Sequence, residues 1–350
     1  MDIALADFPM LALELGLKPY VARQLVEWLY ARRAASFDEM TNIAKPVREL
    51  LKSRFAIRPV ELAGFQTASD GTMKFLCRAG DGAAVECVLI PVEEGRVTVC
   101  VSTQAGCAMG CLFCRTASLG LARNLTQGEI LGQLTIAMGH SGGPVTNVVI
   151  MGMGETLANM EAVEGAVEIM VDQEAMGFSK RRVTLSTCGL LPELDEFSRR
   201  HDIRIAISLN ATTDEVRSKL MPINRRYPIE KIMEFGREYS ARSRHRITFE
   251  YVLIGGVNDA KEDAKRLAAL LKGVRAKVNL IPFNPFEGSG LKAPEEGVVS
   301  WWSDYLYSKG VQANVRLSRG QEIMAACGQL AAGSAGSAGG KKTKRGDRIL

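Results

Sequence analysis

The sequence predicts an α/β protein built around a partial (β/α)6 barrel of the TIM type. From about residue 97 onward, short apolar runs alternate with segments of helical periodicity, which is the pattern of a parallel sheet buried by helices. Residues 1–60 show helical patterns only, and residues 331–350 are of low complexity. We therefore expect a small helical N-terminal domain, a barrel and a disordered basic C-terminal tail.

Residues 1–60 are predicted to form a helical accessory domain. Val21, Leu25 and Trp28 recur at helical spacing, and Pro19 stands where a first-turn proline is tolerated. Basic residues decorate the unit, among them Arg23, Arg32, Arg33, Lys45, Arg48, Lys52 and Arg54. It is either an RNA-docking module or a stabilising cap with a solvated charged face, and the sequence leaves both interpretations open.

Residues 61–96 are predicted to form a β-rich extension. Met73–Arg78 and Val85–Ile90 have strand-like composition and are separated by a Gly-Asp-Gly turn. Within the second run, Glu86 alternates in phase with Val88, which places a carboxylate among apolar neighbours. Such a carboxylate suits a general acid or base, whereas the simpler alternative is a glutamate that points to solvent from an edge strand.

Residues 97–330 are predicted to contain the barrel and a C-terminal catalytic segment. In a barrel of parallel strands the active site lies at the carboxyl ends of the strands. A further run, Val311–Val315, predicts one last strand. The six strands of the βα units are predicted at Val97–Ser102, Thr146–Met151, Arg182–Ser186, Ile203–Leu209, Ile247–Ile254 and Lys277–Phe283.

Glycines and polar residues fall at the carboxyl ends of these predicted strands. Glycine lets a ligand approach the backbone closely, and the polar side chains can bind the amine, carboxylate and ribose groups of a nucleoside ligand. Any one of them alone would be an ordinary turn residue, but their concentration on one rim predicts a ligand site. The candidates are Gly154, Glu155, Ser186, Ser208, Leu209, Asn210 and Asn284.

Three cysteines follow the first predicted strand at C-x3-C-x2-C spacing: Cys107, Cys111 and Cys114. Three thiolates can hold three corners of a [4Fe-4S] cluster and leave one iron open to a small molecule. The spacing resembles that of the radical S-adenosylmethionine (SAM) superfamily, in which the open iron binds the amino and carboxylate groups of SAM. The alternatives are a zinc site or a chance cluster, but structural zinc requires four ligands and no second pair follows.

Charge and composition limit the partners. The formal net charge is +5, yet the last twenty residues carry five basic side chains against one acidic one, so the rest of the chain is nearly neutral. RNA binding therefore requires a local basic patch. The eight cysteines suggest a reducing compartment, and the sequence has neither a signal pattern nor a long apolar run. We expect a cytoplasmic monomer that does not bind membranes.

Longer motifs surround the cysteine loop: Ser36–Asn42, Cys100–Gln104, Gly152–Glu155, Met221–Asn224, Val278–Pro285 and Ala326–Leu330. With these motifs, the chain from about residue 15 to residue 330 resembles the RlmN-type radical SAM RNA methyltransferases. That family methylates adenine C2 in 23S ribosomal RNA and in some tRNAs. The resemblance implies a [4Fe-4S] cluster on the three-cysteine loop, SAM on the strand-end residues and an electron donor such as flavodoxin.

The resemblance also implies three catalytic residues. Cys327 would accept a methyl group from one SAM, and a 5′-deoxyadenosyl radical from a second SAM would take hydrogen from that methyl group. The resulting methylene radical would add to adenine C2, and Glu86 would remove the C2 proton. Cys100 would then attack Cys327, releasing the product and leaving a disulfide bond.

Two positions depart from the family pattern. Asn210 stands where the family usually has histidine, and Thr156 stands where it usually has proline. Because asparagine can still donate one hydrogen bond, we expect altered SAM contacts without loss of activity. The closest alternative function is adenine C8 methylation of ribosomal RNA, the related type that confers antibiotic resistance. A different class of alternative is a non-catalytic, metal-containing RNA-binding protein.

Overall fold

The computed structural model describes residues 2–92 and 95–331 of the chain. Within these residues one mixed sheet of ten strands is surrounded by helices, and a second sheet has two strands. The predicted tail lies outside the described residues, with the exception of Ala331. Ala331 is buried, so the folded part of the chain extends at least to this residue.

The strands begin with an antiparallel group and continue as βα units. Three strands precede residue 97. Two of them were predicted, and the first, β1, was missed. The strands are β1 (Val60–Thr67), β2 (Met73–Ala79), β3 (Ala84–Val92), β4 (Arg96–Val101), β5 (Gln104–Gly106), β6 (Leu121–Asn124), β7 (Asn147–Ile150), β8 (Val183–Thr187), β9 (Arg204–Ser208), β10 (Ile247–Leu253), β11 (Ala276–Pro282) and β12 (Gln312–Val315).

The helices occupy the N-terminal region and the connections between strands. They are α1 (Phe8–Glu14), α2 (Pro19–Val26), α3 (Lys45–Arg54), α4 (Arg115–Ser118), α5 (Gln127–His140), α6 (Met160–Val171), α7 (Leu191–Arg200), α8 (Asp214–Leu220), α9 (Ile229–Arg242), α10 (Lys261–Leu270) and α11 (Val298–Ser308). A π-helical turn, Glu27–Ala31, extends α2.

The strand order of the large sheet is β1-β2-β3-β4-β7-β8-β9-β10-β11-β12. From β4 to β12 all neighbouring strands are parallel, whereas β1 to β4 are antiparallel. The partial barrel is therefore confirmed, with β12 added in parallel to the six predicted strands. Because β1 and β12 are the two edges, the barrel is open between its first and last parallel strands.

Alternation along the strands separates a packed outer face from a polar inner face. On β10, Phe249, Tyr251 and Leu253 are fully buried under the helices, while Thr248, which points to the other face, lines a cavity on the inner face. Trp302 of α11 packs against Tyr251 with ring centroids 5.0 Å apart, and its indole N–H donates to the carbonyl of Asp259. The helices thus cover the outer face of the sheet, so a ligand can bind only at the inner face.

The N-terminal helices form a compact unit whose basic side chains are partly paired. Arg32 lies over the ring of Trp28 and pairs with Glu27. Arg23 and Lys52 also make ion pairs. These contacts are compatible with a cap that has a solvated charged face, and they leave the RNA-docking interpretation a prediction.

We expect Trp302→Ala to lower the free energy of unfolding by about 3–5 kcal/mol, because it removes a fully buried indole and leaves a cavity. Tyr307→Ala in the same helix is the matched control: this side chain is 56% exposed, so the change should stay within about 0.5 kcal/mol. Urea denaturation measures both. Equal losses would contradict the packing described for α11.

Candidate active site

The three-cysteine loop connects the small sheet of β5 and β6 to α4. Gly106, at the end of β5, has φ +82°, and a Cβ there would lie 1.8 Å from the carbonyl oxygen of Gly120. The N–H of Cys107 donates to that same oxygen at 2.8 Å. Only glycine fits where Gly106 approaches the Gly120 carbonyl, so the tight loop requires glycine at position 106.

Two thiols of this loop, those of Cys107 and Cys111, have a raised pKa. Burial raises the pKa of Cys107 to about 11, and the negative charge of Cys114 adds to this. Burial also raises the pKa of Cys111, with further contributions from Cys114 and Cys107. Because Cys107 and Cys111 both resist ionisation in this loop, they suit a strongly positive ligand, which would stabilise their thiolates.

The donor set suits an iron–sulfur cluster better than a single ion. In the part of the chain that the structure describes, no three His, Cys, Asp or Glu side chains converge on one point as a single ion requires. In a cubane each cysteine binds a different iron, so its ligands are further apart than those of a lone ion. Cys107, Cys111 and Cys114 would hold such a cluster.

The segment after β12 folds back over this loop. The N–H of Arg115 donates to the carbonyl of Gly328 at 2.8 Å, and the hydroxyl of Thr116 donates to the carbonyl of Leu330 at 2.7 Å. Gly328 has φ +82°, and a Cβ there would lie 3.0 Å from the carbonyl oxygen of Phe113. Cys327 is therefore held directly beside the cysteine loop.

Asn284 fixes the same segment from the carboxyl end of β11. Its amide nitrogen donates to the carbonyl of Cys327 at 3.3 Å, and its amide oxygen accepts from Gln321 at 2.8 Å. The side chain of this predicted SAM residue is thus engaged by the C-terminal segment. Its observed contacts position Cys327.

Cys327 and Cys100 lie near enough for the charge of one to act on the other. Cys327 is exposed to solvent but surrounded by protein atoms, which raise the pKa of its thiol to about 11. Cys100 is buried on β4, and burial followed by the charge of Cys327 raises its pKa. The predicted disulfide is not present, since all eight cysteines are free thiols.

Glu86 lies in the interior of the sheet, so the solvent-facing alternative is wrong. Strand β3 is paired on both sides, and Glu86 is 2% exposed. Its carboxylate pairs with the buried Lys74 at 3.2 Å and accepts from the N–H of Ala331 at 2.8 Å. Lys74 was not predicted, because a lysine on a strand is usually solvated.

Glu155 is buried at the carboxyl end of β7 and is satisfied by backbone and side-chain donors. Its carboxylate accepts from the Thr187 hydroxyl at 2.6 Å and from the N–H of Cys188 at 2.7 Å. Burial raises its pKa, and these hydrogen bonds oppose the increase. Next to it, Gly154 has φ +110°, and a Cβ there would contact Gln104 at 2.7 Å. Gly154 and Glu155 thus connect the carboxyl ends of β7 and β8.

Ser186 and Ser208 lie on neighbouring strands around a half-buried carboxylate that the sequence analysis missed. The hydroxyl of Ser186 donates to Glu250 of β10 at 2.9 Å. Glu250 pairs with Ser208 in the parallel register, and burial raises its pKa. A charged residue inside the apolar run Ile247–Ile254 was the signal that could have revealed it.

Asn210 supports the connection after β9. It has φ +56°, a conformation that asparagine tolerates better than most residues. Its side-chain oxygen accepts from the N–H of Val252 at 2.8 Å, and its backbone carbonyl accepts from Asn258 at 2.7 Å. The observed role of Asn210 is structural, while Leu209 is buried beside it.

Arg217 of α8 is a fully buried cation that joins the ends of β8 and β9. Its guanidinium donates to the carbonyls of Cys188, Ser208 and Leu209 at 2.9–3.0 Å. Burial lowers its pKa to about 10, so it stays charged at neutral pH. The burial of Arg217 could not be predicted from the sequence, because its segment is rich in charged residues and is typical of an exposed helix.

The open parallel barrel and the three-cysteine loop define a radical SAM protein. The family model of the Radical SAM superfamily matches residues 101–268. A radical SAM methyltransferase from Sphaerobacter thermophilus superposes with a TM-score of 0.91 at 42% identity, covering 95% of this chain and 98% of the other. The superfamily implies a [4Fe-4S] cluster and SAM as cofactors.

The sequence relatives identify the particular family. The chain is 48% identical to a dual-specificity RNA methyltransferase RlmN of Anaeromyxobacter dehalogenans, covering 91% of this chain and 87% of the relative. It is 46% identical to that of Syntrophotalea carbinolica, with 90% and 85% covered. The model of the ribosomal RNA large subunit methyltransferase N-terminal domain matches residues 1–57. The chain belongs to the RlmN family of radical SAM RNA methyltransferases.

We expect Gly106→Ala to lower the iron bound per chain after anaerobic reconstitution by more than half, because its Cβ would displace the Gly120 carbonyl. Gly120→Ala is the matched control: it also has positive φ (+67°), but its Cβ would meet no atom within 4 Å. Iron analysis and far-UV circular dichroism distinguish loop distortion from unfolding. If both variants bind iron equally, the close approach of Gly106 to Gly120 does not determine the shape of the loop.

We expect Arg217→Met to lower the free energy of unfolding by at least about 3 kcal/mol, since several buried carbonyls lose their donor. Lys219→Met in the same helix is the control, because Lys219 is exposed and makes only a surface ion pair with Glu215. Chemical denaturation measures both. A small effect of Arg217→Met would show that water satisfies these carbonyls.

Proposed function

We propose that this protein methylates C2 of an adenine in RNA, with 23S ribosomal RNA and tRNA as substrates. The proposal is carried by one observation: Cys327 is held beside the cysteine loop and near Cys100. The contacts of Gly328 with Arg115 and of Asn284 with Cys327 fix that position. The names of the RlmN relatives support an RNA substrate.

Cys327 is the residue that would carry the methyl group. When bound, the cluster and SAM would supply methyl groups and a 5′-deoxyadenosyl radical, two SAM being used per turnover. Because Cys327 is exposed, the base of a bound RNA can reach it. Its raised pKa would fall beside the positive charge of bound SAM, since an adjacent cation favours the thiolate.

Cys100 and Glu86 would complete the transfer. After the methylene carbon has joined adenine C2, the thiolate of Cys100 would attack the Cys327 sulfur and release the product, with transient formation of an S–S bond. Glu86 would accept the C2 proton. Its two oxygens each accept one hydrogen bond or ion pair, from Lys74 and Ala331, and so retain lone pairs for a proton.

Gly154, Glu155, Ser186, Ser208, Leu209, Asn210 and Asn284 would shape the SAM site from the strand ends. The side chains of Glu155, Asn210 and Asn284 already make hydrogen bonds within the protein. They would therefore bind SAM through their backbone groups and through the side-chain acceptor sites that remain free. An electron donor such as flavodoxin would reduce the cluster.

The test is methylation of 23S ribosomal RNA and tRNA fragments by the reconstituted protein, with the modified adenine located by fragmentation mass spectrometry. We expect 2-methyladenosine. Formation of 8-methyladenosine would replace the proposal by the C8 activity. Failure to cleave SAM under reducing conditions would favour a non-catalytic RNA-binding protein.

The two catalytic cysteines should fail at different stages. We expect Cys100→Ala to stall after the carbon–carbon bond forms, leaving RNA covalently attached to Cys327. Cys327→Ala should give neither product nor attachment, because it cannot carry the methyl group. A denaturing gel with radiolabelled RNA shows attachment as a retarded protein–RNA band.

The double variant Cys100→Ala/Cys327→Ala is the control and should lose the band. Cys188→Ala serves as the matched single control, because Cys188 is a buried thiol outside the proposed transfer. Turnover by Cys100→Ala at the rate of the unmodified protein would remove its assigned role.

A further inference from the structure

The inner face of the barrel contains a cavity of about 190 Å³ lined by several basic residues. Arg204 begins β9, Lys277 lies near the start of β11, and Arg316 follows β12. Arg96, at the start of β4, lies on the opposite wall. Strands from both sides of the barrel opening thus contribute positive charge to one space.

Three of these cations, Arg204, Lys277 and Arg316, are not neutralised by ion pairs with the described residues. Among the described residues, no carboxylate lies within ion-pair distance of Arg204, Lys277 or Arg316, in contrast to the paired arginines of the outer helices. Of the charges that act most strongly on Lys277, three are arginines (Arg204, Arg316 and Arg246) and one is the carboxylate of Glu250.

The electrostatic effect on Lys277 supports the same conclusion. Burial lowers its pKa, and the charges of Arg204 and Arg316 lower it further. Glu250 offsets this only in part, because burial raises its own pKa and Ser186 occupies one of its oxygens. The cavity therefore has an excess of positive charge that an anion would relieve.

The neutral lining also suits an oxyanion. Thr98, Thr184, Thr248 and Asn279 line the cavity and offer hydroxyl and amide donors between the cations. Arginine forms paired hydrogen bonds with phosphate oxygens. Because Arg204 and Arg316 are exposed, a group on a larger molecule can reach them from solvent.

We propose that this cavity binds a phosphate group, and that the phosphate belongs to the RNA backbone next to the target base. The cavity adjoins the candidate active site through β4: Thr98 lines the cavity, and Cys100, two residues further along the same strand, points to the same face about 7 Å away. A nucleotide with its base at Cys327 would place a neighbouring phosphate within reach of these cations. The assignment to RNA rests on the proposed function, whereas binding of a phosphate group does not.

The experiment compares Arg204→Gln with Arg181→Gln in the full-length reconstituted protein. Arg181 is an exposed arginine just before the start of β8, as Arg204 is at the start of β9, and it does not line the cavity. Both changes remove one positive charge. Isothermal titration calorimetry measures the binding of inorganic pyrophosphate, and fluorescence anisotropy measures the binding of a labelled RNA fragment.

We expect Arg204→Gln to lower the affinity for both ligands about tenfold, as loss of one charge-assisted hydrogen bond implies. The slope of the logarithm of the RNA affinity against the logarithm of the salt concentration should become shallower by about one. Arg181→Gln should stay within about twofold of the unmodified protein. Arg316→Gln should behave like Arg204→Gln, which guards against a local defect in either variant.

Absence of pyrophosphate binding, or equal losses in Arg204→Gln and Arg181→Gln, would overturn the site. Weakened pyrophosphate binding with unchanged RNA affinity would overturn the assignment to RNA and indicate a small free anion. Since neither measurement requires methylation, loss of RNA affinity in Arg204→Gln would support the site even if the proposed activity proved wrong.

Discussion

The candidate active site depends on the attachment of residues 317–331 to two parts of the molecule that are remote in sequence. On one side, Gly328 and Leu330 accept hydrogen bonds from the residues after the cysteine loop. On the other, Asp70 accepts from the N–H of Gly320, and the N–H of Ala331 donates to Glu86. These contacts span the opening of the barrel, so the position of Cys327 is shared between the barrel and the antiparallel extension.

Buried polar groups hold the strand ends beneath that segment. Glu155 and Arg217 both act at the ends of β8 and its neighbours, one as an acceptor and the other as a donor. A buried charge is costly unless its hydrogen-bonding capacity is filled, and here backbone groups fill most of it. The rim on which a nucleoside ligand would lie is therefore rigid, which suits reactions that must control a radical.

The sequence predicted the barrel well because each βα unit follows local rules. Apolar strands such as Ile247–Leu253 and capped helices such as Gln127–His140 are determined by nearby residues. Strand β1 was missed because its burial is weak along most of its length, and its partner β2 decides its conformation. The roles of Lys74 and Arg217 were missed because their burial depends on elements far along the chain.

The sequence by itself determined the order of the βα units, the three-cysteine loop and, through resemblance, the family. These depend on spacing, periodicity and residue type, which are local properties of the chain. Only the tertiary structure decided that Cys327 lies beside that loop, that Glu86 is buried against Lys74, and that Asn210 supports a turn. Burial and hydrogen bonding between distant segments arise from packing, and neither is encoded in the spacing of residues along the chain.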